Sequence, residues 1–229
     1  MMHRVSKLLC RIWGPNSGPY PLLVLLFLTI FVLPPLVSAR IVTPIIFQIG
    51  VALILVAGAF SVHSGKSVRL LALIVALLLV FKGKLGFLST QSVIENMDLL
   101  LSVVLLSVFT LLMVKSFFPR ERPPAHRIAG AVAVYLLLGL IWARLYQVVE
   151  LLSPGAFRIP EGESLNPAVL NYFSFITLAT TGYGDVIPIN VVARNLSVIE
   201  AIVGQLYLVI LISRLVSEAS AQPRGEGGY

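Results

Sequence analysis

From Ser92 onward the chain runs as long apolar stretches separated by short polar links: Ser92–Phe118, Ile128–Leu152 and Val191–Val216. Each reaches or exceeds the roughly 20 residues that carry an α-helix across the hydrocarbon core of a bilayer. Upstream, Tyr20–Ser38, Pro44–Val62 and the shorter Ser67–Phe81 have the same character. This pattern constrains the fold strongly. In lipid every backbone polar group must be satisfied within the protein, so spans of this kind are helices. Composition agrees, with 58% hydrophobic and 12% charged residues among 229 and a mean hydropathy of +0.96. A soluble domain carries about 25% charged residues. Pro34-Pro35 is expected to kink or end the first helix.

The net charge of +7 could suggest a nucleic-acid partner, but no basic run is interleaved with aromatics. The basic residues sit between apolar stretches, where they orient helices and meet anionic headgroups. With the N-terminus inside, the cytoplasmic segments hold 11 Lys and Arg and the external ones 5. Six crossings then place both termini in the cytoplasm of a multi-pass cell-membrane protein. Residues 1–19 read as a basic amphipathic segment on the membrane surface, with Val5, Leu8, Leu9, Ile12 and Trp13 against Arg4, Lys7 and Arg11. The run Gly14–Pro19 separates that basic end from the first apolar stretch, which disfavours a signal peptide. Cys10, the single cysteine, allows no intrachain disulfide.

Between the last two spans lies a shorter segment. Asn166 is a good N-cap and Pro167 suits the first helical position, and about a dozen helical residues follow to Ala179. That is too short to cross, so it reads as a half-helix that dips in and stops. It stops at Thr180-Thr181-Gly182-Tyr183-Gly184-Asp185.

In this stretch and its setting, a Thr-x-Gly-Tyr-Gly-Asp string after a short helix and between two full spans, the chain resembles the potassium-channel family. The resemblance implies a homotetramer with one pore on a four-fold axis. It implies K+ ions as the only bound groups, coordinated by the carbonyls of Thr180, Thr181, Gly182 and Tyr183 with Thr180 Oγ1 completing the innermost site, and Gly184 closing the filter. Thr181 departs from the family's usual Val. Tyr183 is expected to point away from the pore and brace the filter against the half-helix. Asp185 is expected at the outer mouth, hydrogen-bonded behind the filter, with Thr177 and Glu200 as further filter support. The glycines permit the backbone angles that such a filter needs.

Four further residues stand out in the spans. Gly204 is read as a gating hinge or as a point of close packing against the fifth helix. Glu200, a carboxylate inside a span, supports the half-helix from behind or faces the cavity. Arg144 in the fifth helix is expected to pair with Glu200. Arg194 is read as an interface anchor at the headgroup level.

The fold expected is an all-α membrane protein: four peripheral transmembrane helices (20–118), a basic cytoplasmic linker (119–127), a two-helix pore unit with re-entrant half-helix and filter (128–216), and a short polar tail (217–229). Ser92–Phe118 holds Glu95, Asp98 and Lys115 but no arginine ladder, so weak or absent voltage gating is expected. Arg120, Arg122 and Arg127 are candidate contacts for anionic lipid. No catalytic or phosphate-binding motif is present, which points away from an enzyme and toward passive K+ conduction. The alternatives are a non-selective cation channel and a regulatory or transporter subunit whose filter does not conduct.

Overall fold

The computed structural model describes residues 19–38, 92–117 and 124–221, together with Leu70 and Ile74. The expected second helix, nearly all of the third, the basic N-terminal segment, Arg120 and Arg122 lie outside the described residues. Helix α1 covers Tyr20–Phe27, a π-helical turn follows at Leu28–Val32, and α2 covers Leu33–Ser38. Helix α3 is Ser92–Phe117, α4 Pro124–Leu152, α5 Pro167–Leu178 and α6 Val191–Ala221. Two short strands, β1 (Phe157–Arg158) and β2 (Ile187–Pro188), pair antiparallel. Among the described residues three helices are long and apolar enough to cross a membrane, within α3, α4 and α6.

The first helix does not end at Pro34-Pro35. The helical path runs on to Ser38, and the irregularity falls just before the prolines. Prolines at 34 and 35 have no N–H to offer, and a proline ring crowds the preceding turn. The wider turn relieves this, with the Leu33 N–H reaching back to the Leu28 carbonyl. Helix α4 starts four residues before Ile128, at Pro124, within the stretch expected to be linker. Proline is favoured at a first helical position because its missing N–H would have had no partner there.

Two cores hold the described helices together. In the first, Leu22 and Leu26 of α1, Leu105, Phe109, Leu112 and Met113 of α3, and Ala133, Val134, Leu136 and Leu137 of α4 are buried against one another. Thus α1 and α3 lie on the α4 of their own chain. Ser107 and Thr110 are accommodated in this apolar layer by donating to the Val103 and Leu106 carbonyls one turn earlier, at 2.7 and 2.8 Å. The second core is aromatic. Tyr146, Phe157 and Phe173 meet edge to face with ring centroids 5.0 to 5.5 Å apart, and Leu170, Ile176, Val186 and Ala193 close around them.

The second core joins the two ends of the segment between α4 and α6. Helix α4 ends before Pro154 and Gly155, the latter with φ of 80°. The Glu150 carboxylate accepts from the N–H groups of Gly155 (2.7 Å) and Ala156 (3.0 Å), fixing that turn. The Ala156 carbonyl then accepts from Ile189 (2.9 Å) and Asn190 (3.3 Å), just ahead of α6. With the β1–β2 ribbon, these bonds close a frame around the half-helix α5.

Candidate functional site

Helix α5 begins and ends by local chemistry. The Asn166 side chain accepts from the N–H groups of Ala168 (2.9 Å) and Val169 (3.1 Å), and Pro167 occupies the first turn. Its 12 residues span roughly 18 Å, about half of a bilayer. At the other end the chain folds back on the last turn. Thr180 N–H donates to the Thr177 carbonyl (2.9 Å), while Thr181 and Gly182 N–H both reach the Ile176 carbonyl (2.8 and 3.2 Å). Carbonyls left open at a helix end are thereby used to hold the segment that follows.

That segment has an unusual backbone. Thr180 (φ 55°), Gly182 (φ 53°) and Gly184 (φ 79°) are left-handed, and the intervening Thr181 and Tyr183 are not. For a β-branched residue such as Thr180 this is a true outlier and costs about 1–3 kcal/mol. The sign of φ therefore alternates along Thr180–Gly184. Residues 180 to 185 are all exposed on the single chain. Tyr183 is 72% exposed, so its ring is not braced against the half-helix of its own chain.

Asp185 follows this strip. Its Oδ2 accepts from the Tyr172 hydroxyl at 2.7 Å and its Oδ1 from the Val186 N–H at 3.0 Å. The Tyr172 hydrogen bond is the main cause holding the carboxyl below the usual range.

Three residues of α5 bind it to the flanking helices. Ser174 faces Glu200 of α6 (2.6 Å) and the Gly139 carbonyl of α4 (2.8 Å). The other Glu200 oxygen accepts from the Tyr146 hydroxyl. Glu200 is fully buried where α4, α5 and α6 meet. The expected pairing of Arg144 with Glu200 is replaced by these contacts. Arg144 donates to Gln147 one turn along its own helix, at 2.8 Å. A planar guanidinium three positions from an amide reaches it easily, whereas Tyr146 is better placed for Glu200. The second residue is Leu178, whose carbonyl accepts from Tyr135 at 3.1 Å. Gly204 lies against that carbonyl; a Cβ there would stand 3.1 Å from Leu178 Cδ1. The close packing at Gly204 is therefore with the end of α5, where the sequence suggested the helix that is α4. The third is Phe175, stacked 5.2 Å from Phe31 of the π turn, its ring edge filling the space over Gly139.

Arg194 donates through Nε to the Pro188 carbonyl at 3.1 Å, holding β2 to α6. Tyr207 of α6 donates to the Ala131 carbonyl of α4 at 2.7 Å. Tyr146, Ser174, Tyr172 and Tyr135 were not singled out by the sequence reading. Their signal there is faint: polar atoms scattered along apolar helices, which must find partners when they are shielded from water. Among the described residues no group of His, Cys, Asp and Glu is arranged to hold a metal ion.

No curated protein and no solved structure matches the chain. Residues 131–220, which contain nearly all of α4, the half-helix, the Thr180–Gly184 strip and α6 almost to its end, match the family model described as "Ion channel". That likeness supports an ion channel embedded in a membrane by its apolar helices.

Proposed function

We propose that four copies of this chain form a potassium-selective channel that conducts K+ passively across the cell membrane. The observation that carries the reading is the strip of alternating backbone hand at 180 to 184, anchored to the C-terminal carbonyls of a capped half-helix. A K+ ion entering a pore loses its water and needs replacement oxygens. Four such strips around an axis supply rings of carbonyls from Thr180, Thr181, Gly182 and Tyr183, with Thr180 Oγ1 innermost. The half-helix C-terminus adds partial negative charge beneath them.

The tetramer also answers an unmet need of the single chain. Irregular backbone at membrane depth is tolerated when it is covered by protein or lines a water path. The strip is exposed, and only 3 of the 24 residues Val191–Arg214 in α6 are buried, against 11 of the 28 residues Ala125–Leu152 in α4. Neighbouring copies would cover the exposed α6 residues Val198, Ile199, Ile202, Leu206 and Val209, and give the Tyr183 ring a surface to brace against. In this reading both termini are cytoplasmic, Asp185 draws cations to the outer mouth, and the peripheral helices are a scaffold without strong voltage sensing. Arg127, with Arg120 and Arg122, meets anionic lipid.

The test is potassium flux into liposomes containing the purified protein, with sodium as the comparison ion. Flux should prefer potassium and vanish in Gly182→Ala, where a side chain is forced onto a left-handed backbone. Equal flux of both ions, still lost in the mutant, would establish the non-selective channel instead. Absence of flux from a protein that does not assemble as a tetramer would establish the non-conducting subunit.

A further inference from the structure

Glu200 is 0% exposed where α4, α5 and α6 meet. Three hydrogen-bond contacts run through it in a row: Gly139 O to Ser174 Oγ, Ser174 Oγ to Glu200 Oε1, and Glu200 Oε2 to the Tyr146 hydroxyl. Each contact needs one proton. Ser174 is placed to donate both to the Gly139 carbonyl and to Glu200, and it has one hydroxyl proton for the two. When that proton goes to Gly139, the proton between Ser174 and Glu200 must be the carboxyl's own. Tyr146 supplies the third. A neutral Glu200 gives three protons for three contacts. An ionised one leaves two, so that Ser174 gives its proton to one acceptor and faces the other with lone pairs only, in a site closed to water.

The surroundings favour the same state. The groups turned toward Glu200 are Tyr146 and Tyr135 of α4 and Ser174 of α5. On its own helix, Ser197 beside Tyr146 donates to the Ala193 carbonyl at 2.8 Å. Arg144, the nearest charged residue along α4 from Tyr146, donates to Gln147. The side chains that bond to Glu200 among the described residues are therefore hydroxyls.

We propose that Glu200 is a proton-binding site: as a neutral acid it clamps the half-helix to both flanking helices, and loss of its proton turns Ser174 from the Gly139 carbonyl to the carboxylate, frees α5 from that point of α4 and lowers conduction. The link to conduction rests on the channel reading above; the proton site itself does not. Ser174 is two residues before Ile176, whose carbonyl holds the Thr181 and Gly182 amides. A shift of α5 at Ser174 is therefore passed directly to the strip.

The experiment uses the full chain in liposomes and reads two signals. Infrared difference spectra between neutral and alkaline pH should contain the C=O band of a protonated carboxyl, lost in alkali and missing from Glu200→Gln. Potassium flux should fall by up to about tenfold per pH unit beyond the midpoint of that loss. Glu200→Gln should keep its flux across the same range, because an amide donates to Ser174 and accepts from Tyr146 as the neutral acid does. Ser174→Ala removes the hydroxyl that can donate to the ionised carboxylate and should move the midpoint of band loss to higher pH. No carboxyl band assignable to Glu200 at neutral pH, or an unmoved midpoint in folded Ser174→Ala, overturns the proton site. A band present with the same pH dependence of flux in both proteins overturns its role in conduction. If no variant conducts at any pH, the channel reading fails and the regulation with it, while the infrared band still decides the proton site.

Discussion

Gly204 of α6 lies directly against the carbonyl of Leu178, the last residue of the half-helix, leaving no room for a side chain. The same carbonyl accepts the Tyr135 hydroxyl of α4, so three helices converge on the base of the Thr180–Gly184 strip.

Replacing Gly204 with alanine should therefore destabilise the assembled protein by about 1–3 kcal/mol, because the intruding Cβ meets backbone that cannot rotate away. Tyr135→Phe should cost less, about 1 kcal/mol, for one lost hydrogen bond. Thermal unfolding of the two variants in detergent checks the ranking. An unchanged melting temperature in Gly204→Ala, coupled with reduced channel opening, would identify the glycine as a hinge rather than a packing point.

The cap of the half-helix gives a second expectation. Asn166→Ala removes the acceptor of the Ala168 and Val169 N–H groups and should cost about 1 kcal/mol, whereas Asn166→Asp should be nearly neutral. Thermal unfolding distinguishes them, and equal losses in both would show that the amide's own contacts matter more than its cap.

The Tyr172–Asp185 pair sets an acid limit. Asp185 titrates below its ordinary value chiefly because Tyr172 donates to it. A lowered native value means that its stabilisation is present above the unfolded value of about 3.9 and is lost as pH falls through the native one. The melting temperature of Tyr172→Phe should lie below that of the parent at neutral pH, and the two should converge in acid. A gap that stays constant down to about pH 3 would refute the linkage.

Contact between the first helix and the half-helix predicts non-additivity. Gly139→Ala would place a Cβ 2.5 Å from Phe175 Cε1, forcing the ring toward Phe31. Phe31→Ala frees that space, so the double variant should be more stable than the sum of the single losses by about 0.5–3 kcal/mol. Additive losses would show that the ring escapes elsewhere.

Voltage supplies the last expectation. Helix α3, Ser92–Phe117, carries no arginine ladder, so conductance should vary shallowly with membrane potential. A steep conductance–voltage relation would require charge moving in some other element.

The membrane helices and the half-helix could be read from the sequence because their causes are local. Apolar length sets α3, α4 and α6, and Asn166-Pro167 with Gly182 and Gly184 marks where α5 starts and where regular backbone stops. These signals lie within a few residues of what they specify. Glu200 could likewise be recognised as out of place in an apolar span, but not its partners. Tyr146 is 54 positions away and Ser174 26, and which hydroxyl meets a buried carboxyl depends on how three helices are rotated against one another. The same holds for Gly204. Its composition allows bending or close approach equally, and only the position of the Leu178 carbonyl decides for close approach. Local chemistry determined which elements exist; tertiary packing decided which buried polar groups satisfy each other, because that is a matter of long-range registry.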